Sequence, residues 1–131
     1  MDVLLKACPG FGPTWSEYLA RDTTVERLPY VEIGEFVNYL IDAASRGETG
    51  CLSEVFGAVE MLLNDGDSDV KELMIVGLVE DIQNMSLHRG LNPDIFLPFL
   101  GSRARAGWFD LIRQWHGEKG KGWPGQVREQ A

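Results

Sequence analysis

The chain has 131 residues, 44% of them apolar and 24% charged, with a formal net charge of −8. That length predicts one domain around one core, the composition excludes a disordered polymer, and no apolar run approaches the roughly 18–20 residues that span a bilayer. The charge is unevenly placed: residues 1–101 hold 17 Asp/Glu against 6 Lys/Arg, a difference of −11, while residues 102–131 hold 6 Lys/Arg against 3 Asp/Glu, a difference of +3. An acidic body of this size repels nucleic acid and anionic membranes and favours basic partners. Neither nucleic acid nor a membrane is therefore expected as a partner. The opening residues, MDVLLKACPGFG, lack a basic n-region and a long apolar stretch, so no secretory signal is read there and a cytoplasmic location is expected. Cys8 and Cys51 have no CxxC spacing; in the cytosol they are expected reduced and partly buried, with a disulfide reserved for an oxidising compartment.

In chain order, CPGFGP at 8–13 is rich in turn formers, which limits any opening helix to a short one. Thr14 with Glu17 three residues on has capping-box spacing for a helix over about 15–21, and Trp15, Tyr18 and Leu19 should pack inward. From Ile33 to Arg46, Phe36, Val37, Leu40, Ile41 and Ala44 repeat at the helical period, and Gly47 is a natural C-terminal stop. Residues 51–64 place Leu52, Val55, Phe56, Val59, Leu62 and Leu63 on one stripe. NDGD at 64–67 is a turn, and Asp67 or Ser68 can cap the next helix. That helix, about 69–89, is apolar around most of its girth, from Val70 through Leu73–Val76 to Ile82 and Leu87, so other helices should surround it. Gly77 at its centre costs about 1 kcal/mol against alanine, which predicts a close neighbouring backbone. Asn92 and Pro93 read as cap and first residue of a short helix over 93–100. Gly101–Ser102 opens a last helix to about 116, with Trp108, Phe109, Leu111, Ile112 and Trp115 on its apolar side. The Gly/Pro-rich remainder, 118–131, is expected to be a flexible tail. The fold class is all-α: five to six antiparallel helices in one compact bundle over residues 1–117, with stacked helix pairs as the variant arrangement.

Few residues carry recognisable chemistry. Asp65-Gly-Asp67-Ser-Asp69 imitates the start of a calcium loop, but the sixth and twelfth places, which need Gly and Glu, are Val70 and Val76; an acidic helix N-terminus explains the run better. His88 and His116 lack His or Cys partners at zinc-ligand spacing, and both suit helix C-termini. No GxSxG, GxGxxG or Walker loop occurs. No catalytic residue, metal or cofactor is assigned. Among carboxylates, Glu60, Glu80 and Asp81 could serve a hydrolase if two of them shared a wet pocket, whereas a Glu80 facing solvent, or bonded to a helix end near Arg103 or Trp108, would count against one. Trp108, Phe109 and Trp115 read as core or interface, with a self-association face open if one is exposed. Arg103, Arg105, Arg113, Lys119 and Lys121 are a basic cluster, weak as a nucleic-acid site because the body behind it is strongly negative; its arginines are expected to pair with carboxylates of earlier helices.

The run VFGAVEMLLNDGDSDVKELMIVGLVEDIQN, followed by LNPDIFLPFLGSRARAGWFDLIRQWHG and preceded by YVEIGEFVNYL, resembles a family of small bacterial proteins. Its pattern is an acidic helix pair, "iE-ll-dGd-v-l-vGl-E-lqN", closed by "fl-lG-sr-W-li-fW-G"; its members are associated with immunity to polymorphic or contact-dependent toxins. The resemblance covers most of residues 28–117. It implies an all-α fold, no enzymatic residues, and a cytosolic immunity protein that neutralises a cognate toxin domain; no binding residue transfers by motif. From the residues themselves, an acidic surface can steer association with a cationic cleft such as that of a nuclease. The candidate contacts are Glu48, Glu54, Asp65, Asp67, Asp69 and Glu72. The same carboxylates equally suit a solvated face that keeps the domain soluble, and an adaptor or scaffold subunit would carry the same surface.

Overall fold

The computed structural model describes residues 1–21 and 28–119, with side chains through residue 114. All regular structure among the described residues is helical, with no strand. Seven α-helices follow in order among them: α1 (Asp2–Ala7), α2 (Gly12–Arg21), α3 (Pro29–Ser45), α4 (Leu52–Asp65), α5 (Ser68–Glu72), α6 (Glu80–His88) and α7 (Ser102–Lys119). Two 3-10 segments, Pro9–Phe11 and Pro93–Phe99, stand between helices, and a π segment, Leu73–Val79, joins α5 to α6. The count exceeds five to six because the π segment divides one continuous helix, 68–88, into two α portions.

Local chemistry accounts for most boundaries. Pro29 begins α3, where its missing N–H is no loss, and Glu32 reaches back so that its Oε2 accepts from Leu28 N at 3.3 Å. Gly47 ends α3 with φ +76°, a left-handed stop that glycine adopts without a Cβ penalty. Asp67 caps α5, its Oδ1 accepting from Val70 N at 2.9 Å, and Asn92 caps the segment at Pro93 by accepting from Asp94 N at 3.0 Å. Gly66 makes the α4–α5 corner possible: a Cβ there would sit 2.5 Å from the Leu62 carbonyl oxygen.

Other expectations need correction. α2 starts at Gly12, so Thr14 lies inside the helix and does not cap it. Trp15 is buried, but Leu19 is exposed. The 93–99 segment is 3-10 with Pro98 inside it, since a proline there lacks the N–H that an α-helix would use. α7 continues to Lys119, two residues into the stretch read as tail; residues 120–131 of that stretch lie outside the described residues.

The core draws on every element but α5, with Phe11, Phe36, Leu40, Phe56, Phe96 and Trp108 fully buried. α1 packs on α4, α4 on α7, and α3 on the helix 68–88. That last pair runs parallel: Tyr30 and Ile33 meet Gly77, Gly34 meets Asp81, and Asn38 and Asp42 receive Arg89. An up–down–up path through α4 requires that direction, so antiparallel order does not extend to this pair. Gly77 is crowded by side chains, Leu73 Cδ1 at 3.1 Å and Tyr30 Cδ1 at 3.4 Å from a would-be Cβ, not by a neighbouring backbone. On another side of the π segment, Ile75 fills the space above Gly107. The helix is not wholly enclosed, however: Val76 is 43% exposed.

Trp108 has no accessible surface, and Phe109 is buried too, so both are core residues. A self-association face built on Trp108 is thereby excluded; the Trp115 side chain lies outside the described residues.

Candidate functional site

The six acidic candidates are all exposed, but the structure does not unite them. Asp65, Asp67, Asp69 and Glu72 cluster around the α4–α5 corner, whereas Glu54 lies in the first turn of α4. Eleven residues of helix separate Glu54 from Asp65, about 16 Å of rise. Glu48 is in the connection before α4 and is held at 3.0 Å by Arg46. Glu48 and Glu54 therefore belong to the other end of α4. A helix at 1.5 Å per residue carries charges apart that are near in sequence.

Within the corner cluster the carboxylates differ. Asp67 is engaged in capping α5, and Asp65 accepts from Asn64 Nδ2 at 2.8 Å. Asp69 and Glu72 form no ion pair among the described residues, and exposed Lys71 sits between them in sequence. Spaced i, i+3 and i+7, Asp69, Glu72 and Val76 follow one exposed stripe of the helix.

Beside that stripe stands Tyr30 at the start of α3, 48% exposed, its ring edge against Gly77. Partial desolvation, then the negative charges of Glu72 and Asp69, push its phenol above the usual value of 10.0. The carboxylates thus lie near enough to act on the ring hydroxyl. Leu28, just before α3, is also exposed. The result is an apolar ridge, Tyr30 and Val76, bordered by unpaired carboxylates. Sequence concealed it: Val76 lies in a run that is apolar at nearly every position, and Tyr30 stands 47 positions before Gly77, so only the packing of α3 on the π segment brings the two together. π segments are rare and recur at functional sites.

The hydrolase candidates are placed otherwise. Glu60 Oε1 accepts from Arg103 N at 2.6 Å and from Ser102 Oγ at 3.2 Å, while Oε2 accepts from Ala104 N at 3.2 Å. Its carboxylate is the N-terminal cap of α7, supplied from α4. Arg103 Nη1 approaches the same group at 3.7 Å. Glu60, and not Glu80, is therefore the acid bonded to the helix end near Arg103. The contact with Trp108 belongs to Gln83, whose Nε2 donates to the Trp108 carbonyl at 3.2 Å. Glu80 is half-buried. Asp81 packs against α3, its Oδ2 3.8 Å from a would-be Cβ on Gly34, and burial, then the adjacent Glu80 charge, raise its carboxyl from 3.8 to about 6. Two neighbouring carboxylates thus exist, but one leans on a helix backbone.

Arg103 pairs with an earlier helix as expected. Arg113 pairs with Asp110 of its own helix, and Arg105 lies over the Phe109 ring and donates to the Leu97 carbonyl at 3.4 Å. Lys119 and Lys121 side chains lie outside the described residues. His88 is the last residue of α6. Among the described residues no three or more His, Cys, Asp or Glu are grouped to hold a metal ion, and no helix is long and apolar enough to cross a membrane.

No curated protein and no solved structure matches the chain. The family described as a domain of unknown function, DUF7674, matches residues 1–116, and with nearly its whole length covered the chain belongs to that family.

Proposed function

We propose that this chain is a non-catalytic inhibitor of the immunity type: a cytosolic protein that binds and neutralises a cognate basic toxin domain. The observation that carries the proposal is the exposed Tyr30–Val76 ridge beside the carboxylates of Asp69 and Glu72. Protein interfaces concentrate their energy in a few desolvated anchors, with tyrosine among the favoured types, while surrounding charge sets encounter rate and partner choice. A negative rim around an aromatic anchor is complementary to a cationic cleft, as in a nuclease that grips phosphates. Glu60 speaks for the same reading from the other side, because its commitment to α7 withdraws it from acid–base chemistry. An adaptor subunit would use the same ridge on a housekeeping partner, and the experiment separates the two.

The experiment is calorimetric titration of the chain with the C-terminal domain encoded immediately upstream, at low and moderate salt. The expected result is nanomolar affinity that weakens with salt. Tyr30→Ala should weaken it by about 2 kcal/mol, roughly 30-fold, and the pair Asp69→Lys with Glu72→Lys should lower the association rate and flatten the salt dependence. Absence of binding between folded samples would remove the immunity reading for that pair. Tight binding indifferent to all three substitutions would move the interface elsewhere.

A further inference from the structure

The two cysteines, 43 positions apart in sequence, meet in space. Cys8 is the C-cap of α1 and Cys51 the N-cap of α4, and α1 packs along α4. Cys51 is near enough to Cys8 to act on its thiol. Tyr39 of α3 neighbours the pair: its phenol is raised first by desolvation and then by Cys8 and Cys51, and its hydroxyl would be 2.5 Å from a Cβ on Gly10. Both cysteines are free, Cys8 buried at 3% exposure and Cys51 half-buried. Cys51 makes no capping bond with its side chain, so no helix amide holds its sulfur.

We propose that Cys8 and Cys51 are a redox-active dithiol that closes to an intramolecular disulfide by exchange with the disulfide of a small thiol, fastening α1 to α4. Cys51, the sulfur with access to solvent, attacks one sulfur of the small disulfide as its thiolate, its proton lost to water. One bond forms, the small molecule's S–S bond breaks, and one small thiolate leaves. Cys8 then gives up its proton and attacks the Cys51 sulfur of the mixed disulfide, expelling the second small thiolate. In total the protein surrenders two electrons and two protons, and the oxidant becomes two thiols. Burial, followed by the Cys51 contact, holds Cys8 up to about 12, which keeps it a protonated thiol and assigns the first attack to Cys51. The pairing is independent of the acidic face, so it stands or falls apart from the inhibitor reading.

The test equilibrates the full chain, under native conditions, with mixtures of reduced and oxidised glutathione, then alkylates free thiols and measures intact mass. The expected result is that both thiols disappear together in monomeric protein, with no glutathione retained and a higher Tm for the oxidised form. Cys8→Ser should accumulate a mixed disulfide with glutathione at Cys51, and Cys51→Ser should leave Cys8 unmodified. Thiols that stay free at every ratio would overturn the proposal. So would bridges formed only between chains, or a stable glutathione adduct on the unsubstituted protein. The unsubstituted chain alone decides between these outcomes, so the test survives a variant that fails to fold.

Discussion

At the start of α7 the free amides of Arg103 and Ala104 are met by Glu60, a carboxylate delivered from another helix and only 22% exposed in its side chain. At the start of α5 the equivalent task falls to Asp67, one residue before the helix, and the acids beyond it, Asp69 and Glu72, face water. Both regions place negative charge at the positive end of a helix, where it is favoured. Only the first uses that charge to join two parts of the chain. The second needs a single carboxylate for its cap and leaves the others without a structural task. Surplus charge beside an exposed aromatic is what an interface requires, and charge consumed in a long-range cap is what a core requires.

The contrast is broken most forcefully at Glu60. Glu60→Ala strips α7 of its cap and leaves the part-buried Ala104 amide without its acceptor, an expected loss of about 2–3 kcal/mol. Urea unfolding should show a lower midpoint at unchanged slope. Glu60→Gln, which keeps an acceptor oxygen but no charge, should lose about half as much. Equal stability of all three proteins would mean that water caps α7 as well as the carboxylate does.

Asp81 sharpens the comparison because it is an acid that neither caps nor faces out. Its carboxyl titrates near 3.8 when unfolded and about 6 when folded, so between those values the folded chain holds a proton that the unfolded chain has released. Its contribution to stability is complete below pH 4 and declines as the pH rises through 6. With allowance for its partial exposure, the loss is on the order of 1 kcal/mol. Asp81→Asn should be more stable than the parent at pH 7 and equal to it near pH 4, measured by unfolding across that range. A parent whose stability rises through pH 6 while the variant's does not would contradict the assignment.

Much of this was readable in the residues, and the reason lies in range. Gly47 as a stop, Asp67 and Asn92 as caps, and the apolar stripes of α3 and α4 depend on neighbours within one or two turns, so spacing alone reveals them. Glu60 acts across more than 40 positions of sequence. Its signal was indirect: Gly101 accepts the first helical bond of α7, from Arg105 at 2.9 Å, yet has no side chain to cap with. The cap had to come from elsewhere, and a glycine leaves the room for it, since a Cβ there would fall 2.6 Å from Glu60 Oε2. The π segment was hidden for a different reason. The run Leu73–Val79 is apolar at nearly every position, so it offers no period to count and gives no sign that Val76 lies at the surface. The site was legible as charge at Asp65–Glu72 but not as the aromatic anchor beside it, because Tyr30 arrives by the packing of α3 from 47 positions before Gly77.

The finest cut lies inside the acidic corner itself. Asp67→Ala removes the Val70 capping bond and should cost about 1 kcal/mol, whereas Asp69→Lys with Glu72→Lys should alter stability by no more than about 0.5 kcal/mol, as exposed substitutions without a structural partner do. Partner binding should follow the opposite order, with the charge reversals the more damaging. Thermal and urea unfolding of these variants, set beside their titrations, therefore separates acids that build the corner from acids that face a partner. If reversing Asp69 and Glu72 unfolded the domain as readily as removing the Asp67 cap, the cluster would be structural throughout. The aromatic ridge would then stand without its charged border.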